Sequence, residues 1–192
     1  MTLRTVQKSY SAEFEEKRSR FIANLVPIAD FDDVLESLKA EHKKASHHVT
    51  AFRKVNADNR IVEGCKDDGE PAGTSGMPVL KTLNGSDLVD VAVIVTRYFG
   101  GTKLGTGGLA RAYSGAAKAV IGHAELVPWV RINQAVLFSI YSESAEIERR
   151  ISAEGVVVIS REFVESGVKL TIEGPEDAVY RLTSADMPST TN

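Results

Sequence analysis

A nearly unbroken apolar stretch that runs into a cluster of glycines and then into an alanine-rich segment limits this fold most. Residues 88–98 are almost continuous in Val, Ile, Leu and Ala, as in a strand buried on both faces, so this strand is expected to be central in its sheet. Residues 100–108 hold five glycines, and residues 109–122 are rich in alanine. The order therefore reads strand, glycine loop, helix, with the helix starting near Leu109. Asp and Glu are absent from residues 91–124, whereas Arg97, Lys103, Arg111 and Lys118 all fall there. Arg111 and Lys118 are seven apart, hence near one face of the helix. Glycines let backbone N–H groups approach an anion, and a helix N-terminus adds partial positive charge. Arg97, Lys103, Gly105, Gly107, Gly108, Arg111 and Lys118 are thus the candidates for binding phosphate, on RNA or on a small molecule. The competing reading is a tight strand-to-helix turn with solvated cations. Tyr98, Phe99 and Tyr113 are candidates for stacking on bases, or else for the core.

Upstream, residues 13–27 read as a strand or hairpin. A helix opens at Asp30, with apolar positions Phe31, Val34, Leu35 and Leu38, acids at its start and lysines at its end. Residues 47–55 and 60–66 read as an antiparallel pair about a turn at 56–59, and residues 77–83 as a short helix. Residues 126–133, with Pro128 and the sole Trp129, mark a junction between a domain at 1–127 and another at 132–192. The second shows strand 134–141, helix 143–153, strands 156–164 and 168–173, and a helix at 175–182. This is five sixths of a ferredoxin-like βαββαβ unit. Its final strand is not evident, because residues 183–192 are polar and turn-rich. The fold class is α+β.

Three acids, Asp67, Asp68 and Glu70, flank Gly69 and precede Pro71. The favoured reading is that they pair with Arg97 or Arg111 and position the glycine loop. A hard-cation or acid–base site and an ordinary turn are the alternatives. His42, His47 and His48 lack metal-ligand spacing, and no metal site or cofactor is expected. Ser75 lies between Gly73-Thr74 and Gly76, but no strand-to-helix elbow or Asp–His order accompanies it, so no catalytic residue is assigned.

The apolar fraction of 43% and charged fraction of 26% are those of a globular chain. A net charge of −3 argues against binding nucleic acid by bulk charge and requires a polarised face instead. The lone Cys65, the charged first 20 residues and a longest apolar run of only Val91–Val95 point to a cytoplasmic protein without a membrane span.

Three stretches together resemble the YigZ/IMPACT family: Lys17-Arg18-Ser19-Arg20-Phe21, DDGEPAGTSGMPVL at 67–80, and VTRYFGGTKLGTGGLARAY at 95–113. The resemblance covers about residues 1–125. It implies an N-terminal α/β domain similar to domain four of elongation factor G, and a C-terminal ferredoxin-like domain. It also implies a role in translation through RNA, the ribosome or a translation-regulatory protein as partner. Eukaryotic relatives are translational regulators that act partly through an extra domain, which is not expected in this chain. An enzyme or sensor for a phosphorylated small molecule and a protein-interaction adaptor are the alternatives.

Overall fold

A computed structural model describes residues 2–185, and the chain divides into two compact units, Met1–Trp129 and Val130–Asn192. The first unit runs β1 (Arg4–Thr5), β2 (Tyr10–Glu16), β3 (Ser19–Pro27), α1 (Phe31–Glu41), β4 (His47–Val55), β5 (Ile61–Lys66), α2 (Gly76–Gly85), β6 (Val91–Tyr98), α3 (Gly105–His123) and β7 (Val127–Pro128). Five strands form an antiparallel sheet in the order β2-β3-β6-β4-β5. β6 is its middle strand, with Val91 to Arg97 all buried. Alternation sends Val91, Val93 and Val95 into one core, with Leu83 of α2 and Ala112, Tyr113 and Ala116 of α3. On the opposite side α1 lies over β3 and β6. Full burial of a side chain such as Ile94 stabilises by roughly 1.5–3 kcal/mol, and the continuous apolar run is what such a two-faced strand requires.

Residues 13–27 belong to a hairpin. Glu16 pairs with Ser19, leaving Lys17 and Arg18 as a two-residue loop with φ of 47° and 66°, the paired left-handed conformation of a type I′ turn. Helix α3 starts at Gly105, four residues before the position read from its alanine content. Gly105, Gly107 and Gly108 therefore belong to its first turn and not to a loop. Their poor helix propensity is offset by the buried stripe of Leu109, Ala112, Tyr113, Ala116, Ala117 and Val120.

The strap at the end of the first unit is ordered as far as Trp129. β7 pairs with β1, Arg4 opposite Pro128, and the Trp129 N–H donates to the Leu3 carbonyl at 2.9 Å. The indole Nε1–H donates to Asp90 Oδ2 at 2.6 Å, while Asp90 Oδ1 accepts from the Val55 N–H at 2.8 Å.

The second unit is β8 (Ile132–Ile140), α4 (Ser144–Ala153), β9 (Val157–Val164), β10 (Gly167–Pro175) and α5 (Glu176–Ala185). Its strands lie in the order β8-β10-β9, the βαββα portion of a ferredoxin-like unit. Leu137, Leu170 and Ile172 from the sheet meet Ile147, Ile151, Val179 and Leu182 from the helices. Residues 186–192, most of the segment in which a final strand is not evident, lie outside the described residues. No helix among the described residues is long and apolar enough to cross a membrane.

Candidate functional site

The site grows from three stretches that the sheet brings together: the loop after β5, the end of β6, and the start of α3. In the loop, Asp67 acts as a clasp. Its Oδ1 accepts from the Ser75 hydroxyl at 2.6 Å, the Gly76 N–H at 2.8 Å and the Ser75 N–H at 3.2 Å, and its Oδ2 from the Gly73 N–H at 2.8 Å. Residues 67–76 are thereby closed on one carboxylate, which also meets the positive start of α2. Partial burial pulls the Asp67 pKa upward, but the Ser75 hydroxyl and the backbone N–H groups outweigh it and hold the pKa below the ordinary value. Asp68, at φ 48°, accepts from the His48 N–H at 2.6 Å, and its carbonyl bonds His47 Nδ1 at 2.7 Å. These bonds pin the loop to β4.

So held, the loop turns Glu70 inward. Its side chain is 4% exposed and accepts from Arg97 Nη1 at 2.6 Å and from the Tyr113 hydroxyl at 2.7 Å. His47 Nε2 is 3.8 Å from the same oxygen. The Arg97 guanidinium lies 5.5 Å from the Phe21 ring centroid and 5.7 Å from that of Phe99, within cation–π range. Its Nη2 reaches the Ser19 hydroxyl at 3.4 Å, and its shielded Nε has no partner. Burial, then the Glu70 carboxylate as acceptor, hold the Tyr113 phenol far above its ordinary pKa.

Arg97 thus meets an acid of the loop, one of the two partners open to the acids in the sequence, and departs from the expectation that it binds phosphate. It is no solvated member of a basic face, because the pleat of β6 points it into the interior, where Glu70 neutralises it. Of the three acids only Glu70 pairs with a cation in this way; Asp67 and Asp68 bind backbone N–H groups, and Arg111 pairs with no acid among the described residues.

Beyond Arg97 the chain passes Phe99 and reaches Gly100, where a Cβ would stand 2.0 Å from the Arg18 carbonyl carbon. Only glycine fits so close to the β2–β3 turn. Its N–H donates to the Ser19 hydroxyl at 3.2 Å. The chain then enters α3 through Gly105, at φ 71°, and the N-cap, Leu104, supplies no side-chain hydrogen bond and the first turn no acid. The first N–H groups of a helix have no acceptor within it, so donors and partial positive charge face outward here. Exposed Lys103 precedes this turn. The Arg111 guanidinium folds back toward it, with Nη1 3.5 Å from where a Cβ on Gly107 would lie. Lys118, also exposed, sits two helical turns further on, about 10 Å along the axis. Lys103, Arg111 and Lys118 form no ion pairs among the described residues.

A cleft of about 370 Å³ opens between these parts, lined by Glu70, Arg97, Phe99, Lys103, Leu104 and Leu109, together with the first residues of α3. Tyr98 bonds His42 Nδ1 at 2.9 Å and Tyr113 is fully buried, so of the three aromatics weighed for stacking only Phe99, 50% exposed, is available. Ser75 is fully buried with its hydroxyl committed to Asp67. The described residues contain no group of three His, Cys, Asp or Glu suited to a metal ion. Sequence reasoning missed the Ser19 and Tyr113 hydroxyls as members of the network. Both lie within the quoted motifs, but contact across 78 and 43 residues leaves no local signal.

Residues 17–121 match the Impact N-terminal domain. The chain is similar to the IMPACT family member YigZ of Escherichia coli, 44% identical over 104 residues that cover 53% of this chain and 51% of that one. It is also similar to the IMPACT family member YvyE of Bacillus subtilis, 36% identical over 126 residues, 64% of this chain and 57% of the relative. The matches thus span little more than half the length of these curated relatives. Among solved structures, a crystal structure of a hypothetical protein superposes with a TM-score of 0.73 at 30% identity, covering 96% of this chain and 91% of the other.

Proposed function

The chain belongs to the IMPACT family, and from that premise we propose that it acts by binding in translation, holding RNA or a ribosomal surface on the face around the start of α3. The observation that carries this reading is local charge asymmetry in an acidic protein. Lys103 and Arg111 flank an uncapped helix start, Lys118 continues the same helix, and none of them forms an ion pair among the described residues, whereas the chain as a whole carries −3. A polyanion is held by such a polarised patch and repelled elsewhere. The eukaryotic side of the family, which the sequence resemblance ties to translational regulation, supports the same role.

Counterion release supplies the test. Each phosphate contact contributes about 0.7 to 0.9 to the fall of log affinity with log salt. Binding of RNA and of ribosomes is measured over a salt series for the parent, Lys103→Ala and Arg111→Ala. Each variant is expected to bind more weakly and to flatten the slope by about one contact. Equal slopes in all three proteins would remove the basis for the proposal. Arg97, being neutralised and interior, is not expected to contribute to the slope.

A further inference from the structure

The cleft beside Arg97 is shaped for more than an anion. Lys103 and the first-turn N–H groups of α3 suit a phosphate, but the surface around them is apolar: Phe99 is 50% exposed, and Leu104 and Leu109 line the same space. A phosphate backbone gains from charge and has no use for an aromatic ring and two leucines. Arg97 is the second, independent feature. It is 5% exposed and lines the cleft; its Nε–H is sealed from solvent without a partner, and its guanidinium lies 5.7 Å from the Phe99 ring centroid, a cation–π contact that backs the ring at the cleft wall. The volume of about 370 Å³ falls in the lower range of small-molecule sites.

We infer that this cleft takes a single nucleoside phosphate unit. The base lies against Phe99 and the apolar side chains of Leu104 and Leu109, and the phosphate meets the N–H groups at Gly105 to Gly108 beside Lys103. The inference rests on the RNA-binding reading above and sharpens it. A base within a duplex is stacked and paired and reaches such a ring only after costly extrusion, so the RNA recognised is single-stranded. The same chemistry is offered by an unpaired nucleotide of RNA and by a free nucleoside monophosphate.

The experiment is fluorescence anisotropy with a short labelled single-stranded RNA and with the same strand annealed to its complement. Competitors are nucleoside 5′-monophosphates and inorganic phosphate, and the proteins are the parent, Phe99→Ala and Phe99→Tyr. Thermal melts check that the variants fold, which the exposure of Phe99 favours. The single strand is expected to bind more tightly than the duplex, and nucleoside monophosphates to compete better than phosphate. Phe99→Ala should weaken the single strand roughly 5- to 150-fold, the range for loss of one stacked base, and Phe99→Tyr should restore it. Binding of nucleoside monophosphates without any RNA binding would sustain the cleft inference, assign it to the free nucleotide, and refute the RNA reading. Unchanged affinity of Phe99→Ala for both ligands, or duplex binding equal to single strand, would overturn the inference. If Lys103→Ala and Arg111→Ala still flattened the salt slope, the basic-face reading would survive that failure.

Discussion

Glu70 is the residue on which the interior of the site depends. Without its carboxylate, the Arg97 guanidinium would remain buried with no counter-charge and the Tyr113 hydroxyl with no acceptor. Breaking a buried pair from one side costs about 3–5 kcal/mol, so Glu70→Ala should lower stability by that amount in a urea titration. Glu70→Gln should lose less, since an amide oxygen still accepts from Tyr113. A loss below 1 kcal/mol for Glu70→Ala, on the order of a surface pair, would show that the pair does not hold the loop. Asp67 makes a prediction about pH. Its folded pKa is lowered, so its contribution is complete above the unfolded value of about 4 and is lost as pH falls through the lowered one. The stability advantage of the parent over Asp67→Asn should therefore shrink between neutral pH and pH 3, an acid condition below about 4. An advantage independent of pH would mean that the charge on Asp67 is not what ties the loop. In the sequence, the acids and Arg97 were legible as a group with two pairing partners left open. Which side of β6 carried Arg97 was not, because that depends on the register of β6 against β3 and β4.

Among the elements, β6 was the most legible and α3 the least. An apolar run of that length has few homes besides the middle of a sheet, and the position of β6 between β3 and β4 follows from it. The consequence is a contrast between strands. Ile94→Ala on β6, a fully buried site, should cost about 2–5 kcal/mol, while Ile61→Ala on edge strand β5, where Ile61 is 41% exposed, should stay within about 0.5 kcal/mol. Comparable losses at the two sites would contradict the central placement of β6. The start of α3 was misread for a physical reason. Three glycines among four residues, Gly105 to Gly108, argue locally for a loop, whereas the helix is held by the stripe from Leu109 to Val120 packed against the sheet. The cleft was illegible for a related reason. Leu104 and Leu109 carry no chemical signature, and only folding sets them beside Phe99.

At the scale of the whole molecule, the change of element pattern near residues 126–133 was visible in the sequence, but the strap formed by β1 and β7 was not, since two-residue strands carry no periodicity. That strap fixes Trp129 to the first unit through Leu3 and Asp90. Trp129 is the sole tryptophan of the chain, so fluorescence excited selectively at tryptophan, beyond the absorption of Tyr141 and Tyr180, reports on the first unit, while far-ultraviolet circular dichroism sums both. If the units unfold separately, the dichroism curve in urea should contain a transition that fluorescence does not see, and coincident curves would mean one cooperative molecule. The chain thus carries its own optical label: emission from Trp129 can follow the stability of the unit that bears the cleft as RNA or a nucleotide is titrated, with no dye and no engineered reporter.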